Sequence, residues 1–403
     1  MVYKKELVPN IIIIFLLFFC YYSTLIVGLS WDEIFHYING KVRFEYLKTF
    51  GKFKNYNYSN NIYYPGLYDT IAYSIGYIIR IINSNFFENY FIEIKHTINF
   101  IFGSLSILGL YKLVKFFFNK KTAYLSCIFT LLNPFFFGHL GINPKDIIIF
   151  FSYVWFIYFF LKYLNNNSDK ILNILFTSFF IGFGCGVRIS FLGIVIPVII
   201  IGLIFLIKTK NFQNHITSLI RDAFIVLLIT TLLITVSWPH IIDGGYKVFL
   251  DTVYKSLKWS AVPSHGLING DFYEIKNTPS SYFIKFFTYR MPFYSTFLII
   301  SCYLIFLFDK KNVNEIYDKK FSIKFAILNL IIFYPLFISI VFKVNIYDNI
   351  RLFLFIIPFF TIISSIAFLY LIKKFKINFF FKIKLFFLIF LFFIFLIRFI
   401  SIT

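Results

Sequence analysis

The stretch that decides the fold runs Ile11-Ile12-Ile13-Ile14-Phe15-Leu16-Leu17-Phe18-Phe19-Cys20 and ends in Gly28-Leu29-Ser30-Trp31-Asp32-Glu33-Ile34-Phe35-His36. From Pro9 to Gly28 the chain is apolar over the length that crosses a bilayer, about 20 residues. It is too long for the apolar core of a secretory leader and lacks a small-residue cleavage site, so it reads as a retained first span behind Lys4-Lys5. Directly at its end stand two carboxylates flanked by Trp31 and His36. Ionised groups at the mouth of a membrane helix are costly unless water, a metal or a partner charge meets them. The pair therefore fits either a site for proton transfer or cation binding, or two solvated acids opening a loop behind an interfacial tryptophan.

Outward from that stretch the same composition repeats. The 403 residues are 59% hydrophobic and 14% charged, with a mean hydropathy of +0.79. A soluble domain needs more polar surface than this. The chain is expected to be all-α, a single polytopic membrane domain over 1–403. Spans are predicted near 9–28, 97–118, 122–139, 147–164, 171–187, 189–207, 222–238, 292–308, 323–342, 350–371 and 379–400, about eleven with an error of two. Phe, Ile, Lys, Asn and Tyr are so abundant that single occurrences say little. Trp, His, Pro, Gly, Asp and Arg say more. The four cysteines all lie in apolar runs, which indicates neither a zinc site nor a loop disulfide.

Leu67 to Ile82 is a different kind of segment. Leu67, Ile71, Ile75, Ile78, Ile79 and Ile82 recur at helical spacing opposite Asp69, Tyr73, Tyr77 and Arg80, as in a helix lying in the membrane interface. With that helix flat, the Lys-rich short loops fall on one side, which holds 21 of the 39 basic residues and only 6 of the 18 acids. Such an excess marks the cytoplasm. The N-terminus is then cytoplasmic. The long first and second outer loops, 30–95 and 239–290, then face the opposite, outer side. The scarce, chemically capable residues gather there: Asp32, Glu33, His36, His139, Asp146, His240, Asp243, His265, Asp271 and Asp348.

Four outer motifs stand out. In Asn143-Pro144-Lys145-Asp146 the Asn-Pro breaks one helix and Asp146 opens the next, where the dipole favours a carboxylate; Lys145 beside it could also hold a phosphate. Gly182, Gly184 and Gly186 suit close helix packing, but the lone Arg188 behind them needs an anion, either a lipid phosphate or an internal carboxylate. Ser237-Trp238-Pro239-His240 ends an outward span, and the loop behind it carries Trp259, Pro263, His265, Gly266, Asn269, Gly270 and Asp271, a density beyond what a connector requires. Asp348 and Arg351 are spaced for an ion pair, unless Arg351 faces a phosphate.

In order and spacing, Trp31-Asp32-Glu33, the Tyr-Pro turn at Tyr64-Pro65, Asn143-Pro144-Lys145-Asp146 and the later Trp238-Pro239 resemble the bacterial GT-C glycosyltransferases. Within these they are similar to the protein-O-mannosyltransferase and lipid A aminoarabinose-transferase branch. The resemblance implies an enzyme moving a sugar from a polyprenyl-phosphate carrier to a lipid, glycan or protein acceptor at the periplasmic face. It implies Asp32 as the base and Asp146 as its catalytic partner; Glu33, beside Asp32, is expected to be catalytic with them. Substrate binding is expected from His36, Lys145, Arg188, His240, His265 and Arg351. The aminoarabinose branch has Glu-Lys-Pro in the first loop, with the Glu on a metal. Here the triplet is Tyr63-Tyr64-Pro65, so a divalent ion is carried only as a candidate cofactor. The bilayer is a partner and nucleic acid is not. A transporter or flippase would carry its ionisable groups at mid-membrane, often in repeated halves. An O-antigen polymerase or ligase would rely on arginines in its outer loops, and a non-catalytic scaffold is the remaining alternative.

Overall fold

The structure is a computed structural model describing residues 2–30, 32–53, 64–165, 170–209, 216–258, 265–268, 270–277, 279, 281–317, 320–342 and 351–375. It is built from helices α1 (Val2–Leu25), α2 (Glu33–Lys48), α3 (Leu67–Ile82), α4 (Ser84–Asn89), α5 (Phe91–Phe117), α6 (Lys120–Leu131), α7 (Pro134–His139), α8 (Asp146–Leu164) and α9 (Lys170–Val187). Then come α10 (Phe191–Thr209), α11 (Ile216–Ser237) and α12 (Pro239–Lys258). After the hairpin of β1 (His265–Ile268) and β2 (Asp271–Glu274) follow α13 (Tyr282–Arg290), α14 (Phe293–Phe308), α15 (Lys310–Ile316) and α16 (Phe321–Val341). A 3-10 segment (Arg351–Ile356) leads directly into α17 (Ile357–Lys374). The antiparallel hairpin pairs His265 with Glu274 and Ile268 with Asp271. It is a small departure from the all-α expectation.

Among the described residues seven helices are long and apolar enough to cross a membrane, or eight if α13 and α14, bent by 117°, form one broken span. The chain is a multi-pass membrane protein, and its described residues hold fewer than the eleven expected spans. The reasons are local. The run 122–139 is cut at Asn133-Pro134, where the Asn133 side chain caps α7 by accepting from Phe136 N–H. The apolar part of α10 is only Phe191–Ile204, and α14 has 16 residues. The expected span 379–400 lies outside the described residues.

The core centres on α8 and the segment of α17, whose apolar windows are 72% and 83% buried against 17% for α1 and α11. Without water in the bilayer, helix association rests on close packing rather than on hydrophobic transfer. The glycines supply it. A Cβ at Gly182 would stand 2.7 Å from Leu233 of α11, one at Gly186 2.8 Å from Leu67 of α3, and one at Gly184 would strike the Phe191 ring.

The two long stretches 30–95 and 239–290 hold regular elements among their described residues. The first becomes α2, α3 and α4, and the second α12, the hairpin and α13. Helix α3 forms over the predicted residues, with Asp69, Tyr73 and Gly76 turned inward and Ile75, Ile78, Ile81 and Ile82 exposed. Of the expected apolar stripe, Ile75, Ile78 and Ile82 are exposed, whereas Leu67 is buried against Gly186. Helix α2 crosses α3 at Gly40, which lies on the backbone carbonyl of Asp69 so closely that a side chain would clash.

Candidate active site

Helix α8 begins at a closed turn. Asn143 Oδ1 accepts the N–H groups of Lys145 at 3.1 Å and Asp146 at 2.8 Å, while Asn143 Nδ2 donates to Asp146 Oδ2 at 3.0 Å. The turn holds the Asp146 carboxylate, its side chain 3% exposed, at the mouth of the bundle. A buried carboxylate is destabilising unless paired, and two arginines from distant sequence meet it. Arg188, in the turn after α9, places Nη2 3.4 Å from Asp146 Oδ1. Arg351, which opens the 3-10 segment, places Nε 3.6 Å from Asp146 Oδ2 and donates from Nη2 to Asp32 Oδ2 at 2.8 Å. Asp32 makes no side-chain cap to its own helix, and its side chain is 37% exposed. One carboxylate is thus a buried anchor and the other meets solvent.

Lys145 completes the cluster with Nζ 4.0 Å from the Tyr64 ring centroid. Its amine is pushed well below the ordinary lysine value, first by burial and then by Arg188. Asp146 and Asp32 oppose this, and Arg351 adds to it. With all five groups ionised there are three cations and two anions. That surplus suits one further anion with several oxygens.

The structure brings together Asp32, Lys145, Asp146, Arg188 and Arg351. Glu33 and His36 go elsewhere. Glu33, beside Asp32 in sequence, is 3% exposed and turned into the bundle, where both its oxygens meet His96 Nε2 at 3.1 and 3.2 Å and Oε2 accepts Ser30 N–H at 2.6 Å. Burial alone would raise this carboxyl; the bonds from His96 and Ser30 hold it below its ordinary value instead. His36 is also buried, its Nδ1 3.0 Å from Asp69 Oδ2. Asn39 donates to the same carboxylate. Arg43, 1% exposed, bonds Asn39, the Tyr64 carbonyl and, at 2.9 Å, the Ser237 carbonyl closing α11. These groups rivet α2 and α3 to α11. His265 lies exposed on β1, and of His240 only the backbone, in α12, is described. Trp31, Tyr63, Trp259, Pro263, Asn269 and Asp348, including the Asp348–Arg351 pairing, lie outside the described residues.

Sequence reasoning passed over His96, Asp69, Asn39 and Arg43. The signal was present: Glu33, His36, Asn39, Gly40, Arg43 and Tyr46 recur at helical spacing, and they form the buried face of α2.

For the divalent ion carried as a candidate cofactor, no group of three His, Cys, Asp or Glu side chains that could hold a metal occurs among the described residues. Both carboxylates of the cluster already face guanidiniums. These residues do not fit a metal.

The comparisons agree with this architecture. The fold matches a crystal structure of ArnT from Cupriavidus metallidurans with a TM-score of 0.57 at 12% identity, over 91% of this chain and 60% of that one. It also matches the oligosaccharyltransferase of Archaeoglobus fulgidus with a TM-score of 0.53 at 14% identity, over 93% of this chain and 52% of that one. The chain thus spans little more than half the length of either. Residues 71–241 match the family described as dolichyl-phosphate-mannose-protein mannosyltransferase. No curated protein matches the chain.

Proposed function

We propose that this protein is a membrane glycosyltransferase that takes a sugar from a polyprenyl-phosphate carrier and passes it to a hydroxyl-bearing acceptor at the periplasmic face of the inner membrane. The observation carrying the proposal is the bridge made by Arg351, 2.8 Å from Asp32 and 3.6 Å from Asp146. It ties an exposed carboxylate to a cationic cradle.

In this reading the donor phosphate enters between Arg188, Arg351 and Lys145 and draws Arg351 towards itself, which releases Asp32 Oδ2. Asp32 then accepts the proton of the acceptor hydroxyl. The acceptor oxygen bonds the anomeric carbon, the bond from that carbon to the phosphate oxygen breaks, and its electron pair leaves with the phosphate. The growing negative charge there is met by guanidiniums already drawn up to the phosphate before the bond breaks. A single displacement of this kind inverts the anomeric centre. Asp146 keeps the two arginines in place and touches neither reactant. The Lys-rich short loops on the opposite side support the periplasmic assignment, and the match over 71–241 supports a polyprenyl-type donor.

The test is consumption of a lipid-linked sugar by purified protein, with the glycosylated product identified by mass spectrometry. Asp32→Asn is expected to cut turnover by at least about 100-fold, the range for losing a general base, with helical content and melting unchanged. Full activity in that variant would remove Asp32 as the base.

A further inference from the structure

His96 is fully buried, and both its ring nitrogens face acceptors. Nδ1 lies 3.0 Å from the Thr24 carbonyl at the end of α1, and Nε2 lies 3.1 Å from Glu33 Oε1. A carbonyl can only accept, so Nδ1 carries a hydrogen. Across the other contact either Nε2 donates to an ionised Glu33, or Glu33 keeps its proton and donates to Nε2. In both cases the pair shares one proton and is closed to further partners on that edge.

The same carboxylate ties the chain that presents Asp32. Glu33 Oε2 accepts Ser30 N–H at 2.6 Å while Glu33 N–H donates to Ser30 O at 3.2 Å, a reciprocal turn with Asp32 inside it. Lys95 Nζ holds the Glu33 carbonyl at 3.0 Å. Asp32 therefore enters α2 from a turn whose knot is a side chain buried among α1, α2 and α5.

We propose that Glu33 and His96 form a one-proton clamp that positions Asp32, so that Glu33 is a positioning residue and not a second catalytic carboxylate. This rests on Asp32 being the base of the reaction above. Displacing a reacting group by about 1 Å can cost about 100-fold in rate, so the clamp acts on kcat rather than on donor binding.

The experiment compares Glu33→Ala, Glu33→Gln and wild type, reading kcat and donor KM per folded protein together with melting temperature. Glu33→Ala is expected to lower kcat by about tenfold to 100-fold with KM little changed. In Glu33→Gln the amide oxygen still accepts from Ser30 and the NH2 donates to a neutral His96, so kcat is expected to recover most of the loss. A Gln variant as inactive as Asp32→Asn would make Glu33 catalytic, and an Ala variant with wild-type kcat would remove the positioning role; either overturns the clamp. If Glu33→Ala does not fold, His96→Gln reads the same contact from α5. Wild-type protein that consumes no lipid-linked sugar would overturn the functional reading instead. The clamp is then decided by nitrogen NMR of His96, expected to show both ring nitrogens engaged in wild type and Nε2 released in Glu33→Ala. An unaltered spectrum would contradict it.

Discussion

Lys145 stands over the Tyr64 ring between two arginines, and burial with Arg188 beside it depresses its amine. It loses its charge at a lower pH than an ordinary lysine. Donor affinity is therefore expected to fall as pH rises through that depressed value. One charge-assisted contact is worth about 1.5 kcal/mol or more, roughly tenfold in affinity. Lys145→Met should flatten the profile; an unaltered profile would show that Lys145 does not carry it. The same cluster supplies fixed positive charge without a metal, so transfer should persist in a chelator. Loss of activity restored by a divalent ion would contradict this. Arg188 was legible in the sequence because a lone guanidinium at a membrane-helix mouth must find an anion, whereas the spacing of Arg351 pointed to Asp348 or a phosphate and not to Asp32 and Asp146. Glu33 was not legible. Neighbouring residues on a helix point about 100° apart, so one of an acid pair can meet solvent while the other is buried, and which is which depends on the phase of α2 against α5.

Elements carry the site through contacts at single small residues. Gly40 lets α2 lie on the α3 backbone at Asp69, and the same crossing seats His36, Asn39 and Arg43. Gly40→Ala is expected to destabilise the protein by about 1–3 kcal/mol, the usual cost of overpacking, read as a lower melting temperature in detergent with a parallel loss of transfer. An unshifted melting point would show that the two helices do not meet there. Helix α3 was legible to its ends because its isoleucines keep helical phase over the whole segment. Its inner face was not, since Asp69 reads as solvated until its buried partners His36 and Asn39 are known. The break of the run 122–139 was legible in principle. Asn133-Pro134 is the same cap signal as Asn143-Pro144, but an unbroken apolar composition around it outweighed the signal.

At the scale of the whole molecule, composition alone identified a multi-pass membrane protein, because so few charges cannot cover a soluble surface. The convergence of residues 32, 146, 188 and 351 was not readable from spacing, since it depends on which helices neighbour α8. Sidedness can be read with single cysteines, as the four native ones are buried. A cysteine replacing Tyr246, 74% exposed on α12, should react with an impermeant reagent from the periplasm, and one replacing Lys373 at the end of α17 only from the cytoplasm. The reverse pattern would turn the molecule over. The most direct test of the cationic cradle is the affinity of purified protein for a polyprenyl phosphate, compared among wild type, Arg188→Ala and Arg351→Ala. Each substitution is expected to weaken binding by about tenfold to 100-fold, the equivalent of one charge-assisted hydrogen bond. Wild-type affinity in both variants would contradict the account.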